Sequence, residues 1–173
     1  MRALIVASFA ALALTACSKA NDTATAAPPG SATAPATTKP AAPKIARQYA
    51  TALKSKLPRV RRIIVLTEDT DPNNMLGRPN GYVSAAVLID PQGESPCSGQ
   101  NVGAECGAKV EVWPNVADAA ARIKYVQQQL KQMPMLGTEY DYQAGPAVLR
   151  IHGTVKPSIA RTYQRAWRAV VGR

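Results

Sequence analysis

Ala108-Lys109-Val110-Glu111-Val112-Trp113, followed by Pro114-Asn115-Val116-Ala117-Asp118-Ala119, carries the pattern that decides the fold. Ala108, Val110 and Val112 alternate with Lys109 and Glu111, the period-2 signature of a strand with one buried face. The period then changes. Asn115 is placed to cap a helix, with Asp118 near its positive end, and Ala119, Ile123, Val126, Leu130 and Met133 form an apolar stripe. Pro134 ends that helix. A strand feeding directly into a long amphipathic helix is the unit around which the neighbouring segments can be ordered.

Upstream, Ile45, Tyr49, Leu53 and Leu57 recur every four residues and mark a helix that Pro58 stops. Arg59–Thr67, with Ile63-Ile64-Val65-Leu66, is a β-branched run that reads as a central strand. A long loop from Glu68 to Gly81 leads to a second strand, Tyr82–Asp90. Downstream, Thr138–Gln143 and Ala147–His152 flank Ala144-Gly145-Pro146 as a hairpin. Pro157 opens a last helix with Ile159, Tyr163, Ala166 and Val170 on one face. The order α-β-β-β-α-β-β-α predicts an α+β domain, a mainly antiparallel sheet of about five strands with three helices packed on it.

That domain is expected over residues 44–173. Residues 1–16 read as a lipoprotein signal peptide. Met1-Arg2 is followed by an apolar stretch from Ala3 to Ala13, then Leu14-Thr15-Ala16-Cys17 as a lipobox. The apolar stretch is shorter than the roughly 20 residues that span a bilayer. Cleavage before Cys17 would leave that cysteine to carry the lipid, and two or three acyl chains anchor far better than one. Residues 17–43 are almost entirely Ala, Thr, Pro and Ser after the cysteine, with no large apolar side chain to build a core. They read as a disordered tether reaching about 25 to 30 Å or more. The expected location is extracytoplasmic and membrane-anchored. In a Gram-negative cell Ser18 favours the outer membrane, facing the periplasm; in a Gram-positive cell the site is the outer face of the cell membrane.

With Cys17 lipidated, Cys97 and Cys106 remain as an even pair in an oxidising compartment, where a disulfide is expected. Their spacing lacks the CxxC form and no histidine is near, which argues against zinc.

Asp71-Pro72-Asn73-Asn74-Met75-Leu76-Gly77-Arg78-Pro79-Asn80-Gly81-Tyr82 resembles the DPN-x-LLGRP-x-x-Y motif of small extracytoplasmic bacterial lipoproteins. Val110-Glu111-Val112-Trp113 before the Ala-Asp-Ala-Ala helix is similar to a second block of those proteins. Tyr140-Asp141-Tyr142 through Leu149-Arg150 is similar to a third. The resemblance spans most of Ile45 to Val170 and departs at Met75, where leucine is usual, and in the Cys97–Cys106 loop. It implies no established activity; it points to the Glu68–Tyr82 loop.

Three chemistries compete for that loop and its surroundings. Asp69, Asp71 and Asn73 fit the first three positions of an EF-hand, but Asn74 stands where glycine is needed and Asn80 where glutamate is. Consecutive turns shaped by Pro72, Gly77, Pro79 and Gly81, with Arg78 pairing a carboxylate, account for the same residues structurally. As a contact surface, the loop would offer Asp71, Asn73 and Asn80 with Arg78 and Tyr82 foremost, because Arg and Tyr are common interface anchors.

Catalytic patterns are sparse. His152 is the one histidine, and there is no GxSxG, P-loop or HExxH. Glu139 and Asp141 share one face of a strand about 6.5–7 Å apart, the arrangement of the paired carboxylates of a glycosidase. The net charge is +10. Arg161, Arg165 and Arg168 form a basic stripe on the last helix, and Lys54, Lys56, Arg59, Arg61 and Arg62 cluster near the first helix-strand junction. Such charge suits an anionic membrane or wall polymer; the export signal argues against nucleic acid. The expectation is a non-catalytic, lipid-anchored binding module for a protein partner, of inhibitor or immunity-like build, without cofactor or metal. Electrostatic binding to an anionic membrane or wall polymer is the first alternative. A small hydrolase using Glu139 and Asp141 is the second.

Overall fold

The computed structural model describes residues 44–94, 97 and 102–172. The expected signal peptide, Cys17 and the expected tether lie outside them. Helix α1 (Ala46–Lys56) precedes strands β1 (Arg62–Val65) and β2 (Ser84–Ile89). A 3-10 turn at Ala104–Cys106 leads into β3 (Gly107–Val112), which is followed by α2 (Val116–Gln132). After a second 3-10 turn at Pro134–Leu136 come β4 (Glu139–Ala144), β5 (Ala147–His152) and α3 (Pro157–Val171). The five strands form one antiparallel sheet in the order β1-β2-β3-β5-β4. The fold is α+β, with three helices packed on the sheet.

Local chemistry explains the element ends. The Asn115 side chain accepts from the Asp118 amide at 2.9 Å and caps α2. Pro157 occupies the first turn of α3, where its missing N–H costs nothing. Gly145, at φ +56°, takes the left-handed position that a two-residue β4–β5 hairpin demands.

One sheet face is apolar. Ala86, Leu88, Ala108, Val110, Val112, Leu149 and Ile151 pack beneath α1 and α3, and Tyr49 meets Trp167 at a ring separation of 5.4 Å. Burial of Trp167 and Tyr163 anchors α3. On α1 the expected stripe is shifted. Ile45 is exposed and Ala46 and Ala50 face the sheet, since small side chains let the helix approach closely. The β-branched run is also placed differently: among the described residues β1 is an edge strand, paired only with β2, with Ile63 on one face and Ile64 on the other. Two half-covered faces need the same apolar run as a central strand.

The second face is covered by the 67–83 loop and α2. Leu66, Leu76, Tyr82, Val87, Trp113 and Ala119 form a smaller core there. That cover buries Lys109 and Glu111 completely, although their alternation reads as a solvated face.

Candidate functional site

The loop between β1 and β2 folds around Asp71. One oxygen of this buried carboxylate accepts from the Met75 and Leu76 amides at 2.8 and 3.0 Å. The other accepts from the Tyr82 hydroxyl and, at 3.3 Å, from the Asn73 amide. Burial alone would raise the Asp71 pKa; the Tyr82 hydroxyl, the two amides and the Lys109 charge outweigh it and hold the group at about 2. Tyr82 moves the opposite way, raised by burial and by donating to Asp71. Asn74 and Asn80 adopt φ of +51° and +61°, a region asparagine tolerates. A Cβ on Gly81 would fall 1.8 Å from the Met75 carbonyl oxygen, so only glycine closes this turn.

Beneath the loop lies a chain of buried charges. Lys109 Nζ donates to Tyr82 Oη at 2.7 Å and Asp71 Oδ1 at 3.3 Å, and lies 3.5 Å from Glu111 Oε1. Glu111 accepts from Arg150 at 2.9 Å and Arg122 Nε at 3.3 Å. Arg150 reaches on to both oxygens of Glu139, at 2.7 and 2.8 Å. Three carboxylates (Asp71, Glu111, Glu139) thus face three cations (Lys109, Arg122, Arg150), and the network is neutral. Register explains its shape. Lys109 and Arg150 are directly opposite across β3–β5, a like-charge pairing that Glu111 offsets from the diagonal position. Burial pulls the Lys109 pKa down against its carboxylate neighbours. Burial would push Glu111 up, but Arg150, Lys109 and Arg122 hold it low.

Between the loop and α2 opens a cleft of about 590 Å³, lined by Asn73, Met75, Asn80, Trp113, Arg122 and Tyr125 among others. Trp113 packs edge-on against Tyr82 at 5.6 Å, and its buried Nε1 has no hydrogen-bond partner among the described residues. Tyr125 is exposed. A second, polar cleft of about 370 Å³ is lined by Glu139, Arg150 and His152 among others. His152 Nδ1 bonds Thr154, and its Nε2 stands 3.6 Å from Glu94.

The structure divides the expected site residues. Asn73 and Asn80 line the cleft. Tyr82 is wholly buried and Asp71 nearly so; both organise the loop from within and present no contact surface, a correction to their expected role. The reason is that the Met75 and Leu76 amides, the Tyr82 hydroxyl and the Lys109 charge together replace the water that the Asp71 carboxylate gives up. Arg78 is exposed, and its guanidinium donates to the Asn74 side chain at 2.6 Å, an amide in place of the expected carboxylate. Arg161, Arg165 and Arg168 are exposed on α3, on the opposite side of the sheet from the cleft. The basic cluster near α1 is dispersed: Arg59 pairs with Asp90, Lys54 donates to the Val60 and Arg61 carbonyls, and Arg62 donates to the Cys97 carbonyl.

Glu139 and Asp141 do share one face of β4, but they meet different partners. Glu139 is committed to Arg150, while Asp141 accepts from Gln127 at 2.7 Å under α2 and its other oxygen is buried without a partner among the described residues. Burial raises the Asp141 pKa to about 6. The cleft that Glu139 lines does not reach Asp141. Among the described residues no group of three or more His, Cys, Asp or Glu side chains is placed to hold a metal ion. Cys97 and Cys106 form a disulfide, with Cα atoms 5.5 Å apart. No helix among the described residues is long and apolar enough to cross a membrane.

Lys109, Glu111, Arg122, Arg150, Trp113 and Tyr125 were not expected at the site. One sign of it is visible in the sequence: Arg122 sits three residues after Ala119 and four before Val126, inside the apolar stripe of α2. A charge in such a stripe needs a buried partner. No family model, curated protein or solved structure matches this chain.

Proposed function

We propose that this chain is a non-catalytic binding module of the cell envelope, anchored by a lipid on Cys17 and held off the membrane by the residue 18–43 tether. Its partner on this reading is a protein, and the contact face is the surface shared by the 71–82 loop and α2. The observation that carries the proposal is how that face is supported. Asp71, Tyr82 and Lys109 lock the loop from below, so Asn73 and Asn80 are presented beside Tyr125, with Arg78 exposed on the same loop. Preorganisation of this kind lowers the ordering cost of binding. The buried ionisable groups are bonded to one another, which suits a scaffold better than a nucleophile or a proton relay. The resemblance of Asp71–Tyr82 to the motif of small extracytoplasmic lipoproteins belongs to the same reading.

The test uses the detergent-solubilised full-length chain as bait on envelope extract, washed at low and high salt. A single protein retained at high salt, and lost with Arg78→Ala or Tyr125→Ala in a chain of unchanged melting temperature, is the expected result. Retention unaffected by both substitutions moves the contact face elsewhere.

A second reading, electrostatic docking to an anionic membrane or wall polymer, is favoured by α3. Arg161, Arg165 and Arg168 are exposed there, and among the described residues none forms an ion pair. It predicts binding to anionic vesicles that weakens steeply with salt and is lost on charge reversal of the three arginines.

A further inference from the structure

Arg122 is the cation that the buried network leaves under-used. Arg150 makes three bonds of 2.7–2.9 Å to two carboxylates. Lys109 has Tyr82, Asp71 and Glu111 around it. Arg122 has only its Nε bond to Glu111, at 3.3 Å, and that carboxylate is already shared with the other two cations. Its side chain is 7 % exposed. Among the described residues nothing accepts from its Nη atoms, and neither is sealed from solvent. The same side chain is part of the lining of the cleft between the loop and α2. A planar guanidinium edge with free N–H donors is matched to a carboxylate. The wall beside it is apolar and aromatic, from Met75, Trp113 and Tyr125, with the Asn73 and Asn80 amides at the loop side. The volume, about 590 Å³, lies within the range of ligand sites.

We propose that this cleft binds the carboxylate of an acidic side chain in a peptide segment of the partner, with Arg122 as its anchor and Tyr125 covering the neighbouring residue. The inference rests on the reading of the loop–α2 face as a contact surface, and the net charge of +10 favours an acidic partner over a basic one. Asp118 also lines the cleft and accepts from Asn115 at 2.8 Å, so it is a local opponent of any bound anion.

The experiment titrates the full-length chain in detergent micelles with three pools of N-acetylated pentapeptides of randomised flanks. One pool carries a central Glu and an amidated end, one a central Gln and an amidated end, one a central Gln and a free carboxyl end. The readout is the NMR shift of the Arg122 Nε–Hε and Trp113 indole N–H signals. The Glu pool should move both saturably and the amidated Gln pool should not. Arg122→Lys, which keeps the charge but loses the fork, should weaken binding at least about tenfold; Tyr125→Ala, outside the network, should weaken it less, and Asp118→Asn should strengthen it. Equal response to the Glu and amidated Gln pools, no response to any pool, or full affinity in Arg122→Lys overturns the assignment. Response to the free carboxyl end alone overturns the side-chain source. If the peptides fail while Arg78→Ala still abolishes capture of an envelope protein, only this inference falls. If peptides bind through Arg122 while the bait retains nothing, the protein-partner reading falls and the carboxylate site stands.

Discussion

Lys109 Nζ lies 4.4 Å from the centroid of the Tyr82 ring and donates to its hydroxyl at 2.7 Å, so a strand cation and a loop aromatic, both wholly buried, hold each other. This contact ties the centre of the sheet to the end of the motif loop, and it makes the loop's shape depend on charges that never meet solvent.

Breaking one member of the network should therefore cost more than any surface change. Glu111→Gln or Lys109→Met leaves buried charges without their partner, and the expected loss is about 3–5 kcal/mol. Combining Lys109→Met with Asp71→Asn removes one cation and one anion, leaves Glu111 and Glu139 facing Arg122 and Arg150, and should recover part of that loss. Urea denaturation of the single and combined variants checks this; equal losses for all would contradict coupling.

Stability should pass through a maximum in mild acid. Asp71, with a folded pKa of about 2 against an ordinary 3.8, stabilises the fold above about pH 4, and this contribution is lost as pH falls through 2. Asp141 has the opposite sign. Its folded pKa of about 6 exceeds the ordinary 3.8, so its contribution is full below about pH 4 and is lost as pH rises through 6. Asp141→Asn should remove the decline between pH 4 and 6 and raise stability at pH 7 by about 1–3 kcal/mol. Melting temperatures across pH 2–8 for both proteins decide it.

Asp90 joins the end of β2 to the helices on the apolar face. It accepts from Arg59 at 2.5 and 2.8 Å and from the Tyr163 hydroxyl at 2.9 Å. Tyr163→Phe removes one bond from a buried carboxylate and should cost about 1–3 kcal/mol. The variant's denaturation midpoint tests it, with Thr162→Ala as a control of small effect on the same helix.

The Cys97–Cys106 disulfide closes a loop with a sequence separation of 9. Reduction should lower stability by about 2–3 kcal/mol through the larger conformational freedom of the unfolded chain. Denaturation with and without a reductant measures it. An unchanged midpoint would mean that the loop is held by packing alone.

Glycine at 81 should be indispensable to the loop. Gly81→Ala drives a Cβ into the Met75 carbonyl and is expected to unseat the turn, whereas Asn80→Gly, at φ +61°, should be tolerated. Hydrogen exchange of the Met75 and Leu76 amides, which donate to Asp71, reports whether the loop has opened.

The sequence by itself determined the elements and their chemistry at the ends. The switch from period 2 at Ala108–Val112 to a helical stripe after Asn115, the proline stops and the Gly145 hairpin are local signals, and each element appears within a few residues of its expected bounds. The disulfide pair was legible from the even cysteine count left once Cys17 is set aside, together with the expectation of an oxidising compartment. Only the tertiary structure decided what happens to the second face of the sheet. Alternation says that Lys109 and Glu111 point away from Val110, but not whether anything covers them. That depends on where α2 and the 67–83 loop come to rest, after a chain separation no local pattern encodes. The same docking turned Tyr82 from an exposed anchor into a core residue. Separately, Asp90 and nearby main-chain carbonyls took up Arg59, Lys54 and Arg62 from the basic cluster near α1. It also left Arg122 facing a cleft, because burial is a property of packed surfaces and not of residue order.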